Sequence, residues 1–317
     1  GYGCHVSITF GLVVNAGFFS DRMADVLKTH GAEVDIAPSA LGEVPGVDAV
    51  RTMLKADKYK LMCITQVDTS TGIRSQVKEL AAVARSEGVL SVVDGVCAVA
   101  GEELRQDEWS VDVALTASQK AVGVPPGLAL LVAGPRALGA FNARKTPVRS
   151  YYCDWGKWLP VMEAYEARKP AYFGTPAVNL VRALNVSLGQ ILEEGMELRF
   201  KRHELGARAM RAGLKAMGMG FVPAREDLCA STLTAPWYPE GIDASVLSRI
   251  AAEGVVLAGG LHPEIKARYF RIGHMGASGA TEILATLGAI ERGFAASGYR
   301  FGAGEAVAAA QAVLIKG

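Results

Sequence analysis

Six short apolar runs recur through the first 134 residues: LVVN (12–15), EVDIA (33–37), KLMCIT (60–65), VLSVVD (89–94), VDVALTA (111–117) and GLALLVAG (127–134). Three stretches with helical spacing lie between them. One runs from Ser20, a candidate N-cap, through His30 to Gly31. The others are VDAVRTMLKAD (47–57) and SQVKELAAVARSEG, where Ser75 is the candidate cap and Gly88 the stop. Strands alternating with helices predict an α/β fold with a mostly parallel sheet covered on both faces. In such sheets ligands sit beyond the carboxyl ends of the strands. Asp68, Asp94 and Lys120 all fall just past such ends. After Pro176 a long helical pattern leads towards a smaller α/β unit, with strands expected at STLTAPWY (231–238), VVLAG (255–259) and YFRIG (269–273) and a C-terminal pair of helices.

Composition removes several function classes. The net charge is +1, so nothing electrostatic suggests nucleic acid or an anionic membrane as partner. No apolar run reaches the roughly 18–20 residues of a membrane span. The five cysteines are scattered without a CxxC pair, as in an intracellular enzyme with reduced thiols, and the five histidines lack zinc-binding spacing. The first ten residues, GYGCHVSITF, read as neither helix, signal peptide nor cap.

Lys120 stands between two apolar runs, after Ser118 and Gln119 and before Gly123, Pro125, Pro126 and Gly127. A lysine amine at a strand end among apolar residues loses charge through burial and becomes a candidate nucleophile for an aldehyde, or else is a lysine in a surface turn. Asp94 ends an apolar strand and precedes Gly95, Val96 and Cys97. A carboxylate there needs a cationic or hydrogen-bonding partner, and a protonated pyridine nitrogen would be one; capping the next helix is the simpler role.

DTSTGI (68–73), VVDGVCAVAGEE (92–103), ALTASQKAVGVPPGL (114–128) and YFRIGHMG (269–276) together resemble the class V aminotransferases of fold type I. The resemblance is strongest to the alanine–glyoxylate and serine–glyoxylate (serine–pyruvate) branch, and it extends through FFSDRMADVLKTHGAEVD, LPVMEAYEARKPAYFGTPAVNLVRAL and LAGGLHPEIKARYFRIGHMG. It covers nearly the whole chain from about residue 11. Cysteine desulfurases share the architecture but place a histidine before the lysine, where this chain has Gln119. Phosphoserine aminotransferases have a Gln-Lys pair but lack RIGHMG.

The resemblance implies a pyridoxal phosphate-dependent transaminase that moves the amino group of alanine or serine to glyoxylate. It implies a large cofactor domain over 1–194 and a small domain over 195–317. Lys120 would tether the cofactor and shuttle the proton, Asp94 would pair with the ring nitrogen, and Val96 would pack on the ring. Thr69 would bond near the phenolic oxygen and Gln119 would sit at the phosphate. Tyr172 and Thr175 would reach the phosphate in the neighbouring subunit, which requires a homodimer. Arg271 would bind the substrate carboxylate with two parallel hydrogen bonds, its alternative being a structural salt bridge. Asp68 and Ser70 are either site or turn residues; His274 and Met275 are expected in packing, and Cys97 as a small core residue. The C-terminal LIKG differs from an SKL-type address, so peroxisome, mitochondrion and cytoplasm stay open as compartments.

Relatives of this kind carry a further N-terminal segment with a Ser-Gly-Thr-type phosphate loop at a helix start and an aromatic residue that stacks on the ring. No such loop precedes Asp68. A second expectation therefore stands beside the enzyme: a truncated, non-catalytic paralogue or fragment that acts at most as a dimer partner.

Overall fold

The computed structural model describes residues 9–56 and 58–317. In chain order the elements are β1 (Phe10–Val14), α1 (Phe18–Thr29), β2 (Glu33–Ala37), α2 (Val47–Leu54), β3 (Tyr59–Thr65), β4 (Val67–Asp68), β5 (Ile73–Arg74), α3 (Val77–Ser86), β6 (Leu90–Asp94), β7 (Val113–Ala117), β8 (Ala129–Ala133), α4 (Pro135–Asn142), α5 (Trp155–Glu166), α6 (Val178–Glu194), α7 (Met196–Ala216), β9 (Leu233–Thr234), α8 (Val246–Ala252), β10 (Ala258–Gly259), β11 (Phe270–Gly273), α9 (Ala280–Ala296) and α10 (Glu305–Lys316). Residues 1–8 of the stretch GYGCHVSITF, with Cys4 and His5, lie outside the described residues, as does Asp57.

Six strands form one sheet in the order β2-β1-β3-β6-β7-β8. All neighbours are parallel except β7 and β8, which pair antiparallel. Apolar residues explain the layering. Leu12, Val14, Met62, Ile64 and Val93 bury against Val50 and Leu54 of α2 and Leu80 and Ala84 of α3. Val13 and Cys63 pack with Ala24 of α1 on the opposite face. The expected cover on both faces holds for this half of the sheet and fails at β8, where Leu131 is 45% and Val132 60% exposed. An antiparallel step needs no crossover helix, so none is laid over it.

Two caps differ from expectation. Ser20 lies inside α1, whose N-cap is Gly17; its hydroxyl accepts the Ala16 N–H at 3.1 Å. Ser75 precedes α3, whose N-cap is Gln76, and its hydroxyl donates to the Thr65 carbonyl at 2.7 Å. The helical pattern after Pro176 breaks at Gly195, which takes φ 80, and so yields α6 and α7.

The C-terminal part has its own three-stranded sheet, β10-β11-β9, antiparallel throughout. Met210 and Leu214 of α7, Ile250 of α8, Phe270 and Ile272 of β11 and Leu287, Ile290 and Phe294 of α9 form a separate core. No helix among the described residues is long and apolar enough to cross a membrane. No group of three or more His, Cys, Asp and Glu side chains among them is placed to hold a metal ion.

Candidate active site

Register brings the predicted residues to one edge of the sheet. Asp94 ends β6, opposite Thr65 of β3 and Leu115 of β7. Lys120 follows the end of β7 by three residues. The chain then turns sharply: Gly123 N–H donates to the Lys120 carbonyl at 2.9 Å and Val124 N–H to that of Ser118 at 2.9 Å, with Gly123 at φ 78. The Ser118 hydroxyl closes the turn, donating to the Pro125 carbonyl at 2.7 Å and accepting Leu128 N–H at 3.2 Å. Ser118 is thus used up in holding the loop, while the Gln119 side chain next to it stays exposed.

Asp94 is half-buried, and its Oδ1 accepts the Val96 N–H at 2.9 Å. Burial, and then the nearby Asp68 carboxylate, push its pKa above the ordinary carboxylate value. Among the described residues no cation forms an ion pair with it. A desolvated carboxylate in this state favours a cationic neighbour.

Arg271 enters from β11. Its Nε donates to the Gly259 carbonyl at 2.8 Å and Nη1 to the Thr69 carbonyl at 3.4 Å. No carboxylate among the described residues lies within salt-bridge reach of it, so the expected alternative of a structural salt bridge is not what holds this guanidinium. Thr69 is buried, and its hydroxyl contacts the Cys97 thiol. Cys97 is a core residue, 1% exposed, packed with Val67, Ala98 and Ala230. His274 is buried with Nε2 on the Thr234 hydroxyl at 2.8 Å, in packing as expected. Tyr172 is 74% exposed; its hydroxyl and that of Thr175 bond to each other at 3.1 Å and to none of these residues.

Asp68 has a structural task. Fully buried, it accepts the N–H groups of Phe19 and Ser20 through Oδ2, and the N–H and hydroxyl of Ser70 through Oδ1. The first free amides of α1 are therefore already satisfied, since Phe18 N–H goes to the Ser70 hydroxyl. A phosphate finds no open helix terminus there. The same bonds bring Phe18 and Phe19, an edge-to-face pair with centroids 5.5 Å apart, beside the 68–71 turn. Neither phenylalanine is among the site residues that the sequence suggests; the signal for them is FF shortly after a strand end.

The residues present fit an aldehyde cofactor with a protonatable ring: an amine on a glycine-proline turn, an unpaired carboxylate on the adjacent strand, and an unpaired guanidinium across from them. A mostly parallel sheet carrying the amine and the carboxylate at its carboxyl edge, with the guanidinium brought in from the small sheet, is the arrangement of the fold type I class. Within it the chain belongs to the class V aminotransferases, whose family model, Aminotransferase class-V, matches residues 12–260. The chain is 39% identical over 282 residues to alanine–glyoxylate aminotransferase 1 of Saccharomyces cerevisiae, covering 86% of this chain and 72% of that protein. It is 31% identical to serine–glyoxylate aminotransferase of Arabidopsis thaliana, covering 94% and 74%. The crystal structure of ureidoglycine–glyoxylate aminotransferase from Bacillus subtilis superposes with a TM-score of 0.89 at 29% identity, over 97% of this chain and 79% of that one.

Proposed function

We propose that the chain is a pyridoxal phosphate-dependent transaminase that takes the amino group of alanine or serine and gives it to glyoxylate, releasing pyruvate or hydroxypyruvate and then glycine. The observation that carries this reading is the pair of uncompensated charges, the Asp94 carboxylate and the Arg271 guanidinium, around Lys120. When bound, pyridoxal phosphate supplies an electron sink that stabilises negative charge at the substrate Cα.

The residues divide the work. The Lys120 amine holds the cofactor between turnovers and, once released, carries the proton to and from the substrate Cα. Asp94 would keep a proton on the ring nitrogen, whose positive charge would offset the desolvation of the carboxylate. Arg271 receives the carboxylate shared by alanine, serine and glyoxylate as a two-pronged donor. Val96 would support one ring face, and Phe18 and Phe19, beside the 68–71 turn, would help to keep water from the ring. Thr69 and Gln119 bind the phenolic and phosphate oxygens.

The protein acts as a homodimer in which Tyr172 and Thr175 of one subunit complete the phosphate site of the other. Exposed apolar side chains on β8, α6 and the 151–172 segment, among them Val132, Val186, Leu192 and Tyr151, support such an interface. A division into a cofactor-holding part, 1–194, and a smaller unit, 195–317, is supported by the core that the C-terminal half of α7 shares with α9 and α10.

The test is an absorbance spectrum of the chain incubated with pyridoxal phosphate, alongside Lys120→Ala. A lysine-dependent band that shifts on adding alanine, with glycine formed when glyoxylate follows, is expected. A folded chain with no such band would end the reading in favour of a non-catalytic protein.

A further inference from the structure

At the junction of α6 and α7 four charged or polar side chains meet: Glu194, Arg199, Arg202 and His203. Arg199 is 6% exposed, and each of its three guanidinium nitrogens donates a hydrogen bond. Nη1 donates to Glu194 at 2.7 Å, Nε to the Ala100 carbonyl at 2.7 Å and Nη2 to the Ala121 carbonyl at 2.8 Å. Arg202 is held by both oxygens of Glu194, at 2.6 and 2.9 Å, and donates to the carbonyls of Ser278 at 2.6 Å and Gly276 at 2.9 Å.

His203 joins the two halves. Its Nε2 accepts the Gly276 N–H at 3.0 Å, so Nδ1 carries the proton and donates to the Arg199 carbonyl at 2.7 Å. Burial holds this ring well below the usual histidine range, to about 4, which keeps it neutral and in that tautomer.

The gripped carbonyls are the informative part. Ala121 is the residue after Lys120. Ala100 closes the loop that follows Asp94, and it sits at φ 70, an uncommon conformation for a residue with a side chain. Gly276 lies five residues beyond Arg271, and a Cβ there would stand 3.6 Å from the Ala121 carbonyl oxygen and 3.7 Å from that of Lys120. One carboxylate thus anchors two guanidiniums, one on the Asp94 and Lys120 loops and the other on the Arg271 loop.

We infer that Arg199 and Arg202, tied together by Glu194 and His203, are positioning residues: Arg199 sets the loop that carries Lys120 against the loop that follows Asp94, and Arg202 sets the loop that follows Arg271. Neither touches substrate or cofactor. A planar fork fits this task because it fixes two carbonyls in one plane, which an ammonium, a point donor, does not. The inference rests on the reading of Lys120 as the cofactor lysine.

The experiment uses the full chain loaded with pyridoxal phosphate, comparing Arg199→Lys, Arg202→Lys and Glu194→Gln. Two readouts are taken: the pH midpoint of the Lys120-dependent absorbance band, and kcat and KM for alanine with glyoxylate. For Arg199→Lys the band midpoint moves and kcat falls roughly 10–100-fold, with KM for alanine held within about twofold. For Arg202→Lys the midpoint stays and KM rises about tenfold. If Arg199→Lys does not fold, Glu194→Gln decides, with a smaller midpoint shift in the same direction expected. Midpoints unmoved in every folded variant, with kcat and KM changing only in step with Tm, would mean that the cluster merely braces the fold. A wild-type chain with no Lys120-dependent band would instead remove the underlying functional reading.

Discussion

Asp68 Oδ2 accepts the Phe19 N–H at 3.0 Å, so the carboxylate that caps α1 comes from 49 residues further along the chain. With two further bonds to Ser20 and two to Ser70, this buried carboxylate ties α1 to the β4–β5 hairpin. Asp68→Ala leaves these donors without an acceptor. A loss of about 2–4 kcal/mol in denaturant unfolding is expected, combining a lost cap with unsatisfied buried donors. A loss under about 1 kcal/mol would contradict the structural role.

Arg271→Gln keeps one donor and removes the charge and the fork. Roughly 100-fold lower kcat/KM for alanine is expected, from the loss of a charge-assisted pair, with the pyridoxal phosphate spectrum unchanged. Stopped-flow and steady-state rates would check this. A change below about threefold would mean that another group binds the carboxylate.

Asp94→Asn separates stability from function. The native pKa of Asp94 is raised, so the native chain binds this proton more readily than the unfolded chain, and stability falls as pH climbs from the ordinary carboxylate value through the raised one. Removing the charge while keeping an oxygen for the Val96 N–H therefore stabilises the cofactor-free chain at neutral pH, by roughly 1–3 °C in Tm. Transamination should drop by at least about 100-fold, because the ring nitrogen loses its counter-charge. A lower Tm, or activity near wild type, would be inconsistent with an uncompensated carboxylate.

Mild acid should destabilise the chain through its buried histidines. His203 and His274 are held down to about 4 and about 3, chiefly by burial, so both stay neutral in the native state. The unfolded chain takes up those protons as pH falls through about 6.5, and native stability drops from there down to the folded values. Glu194, held to about 2 with its bond to Arg202 as the largest lowering cause, adds a further loss below the ordinary glutamate value. Calorimetric Tm of Asp94→Asn, which lacks the opposing carboxylate, should fall between about pH 7 and about pH 5; a flat profile in that variant would count against the two buried neutral rings.

Several elements are legible in the sequence alone. EVDIA is β2 to the residue, and KLMCIT, VLSVVD and VDVALTA mark β3, β6 and β7 to within two residues. The C-terminal strands were placed correctly but overestimated, since STLTAPWY and VVLAG contain only the two-residue strands β9 and β10. The two serine caps failed for a different reason. Ser20 and Ser75 have the right residue type, but neighbouring backbone groups took up their hydroxyls.

What the sequence by itself determined is local: a strand period, the strand ends that carry Asp94 and Lys120, and the glycine-proline turn that follows the lysine. Only the tertiary structure decided what crosses the chain. It brought Arg271 to Thr69 across 202 residues, with no carboxylate among the described residues to neutralise it. It gave Asp68 to a helix 49 residues away, and it aimed Arg199 at the carbonyls of Ala100, in the loop after Asp94, and Ala121, next to Lys120. Periodicity and turn chemistry act over a few residues and are written in the order of the chain. Hydrogen bonds between distant segments depend on how sheet and helices stack, and that stacking is set by the whole core at once.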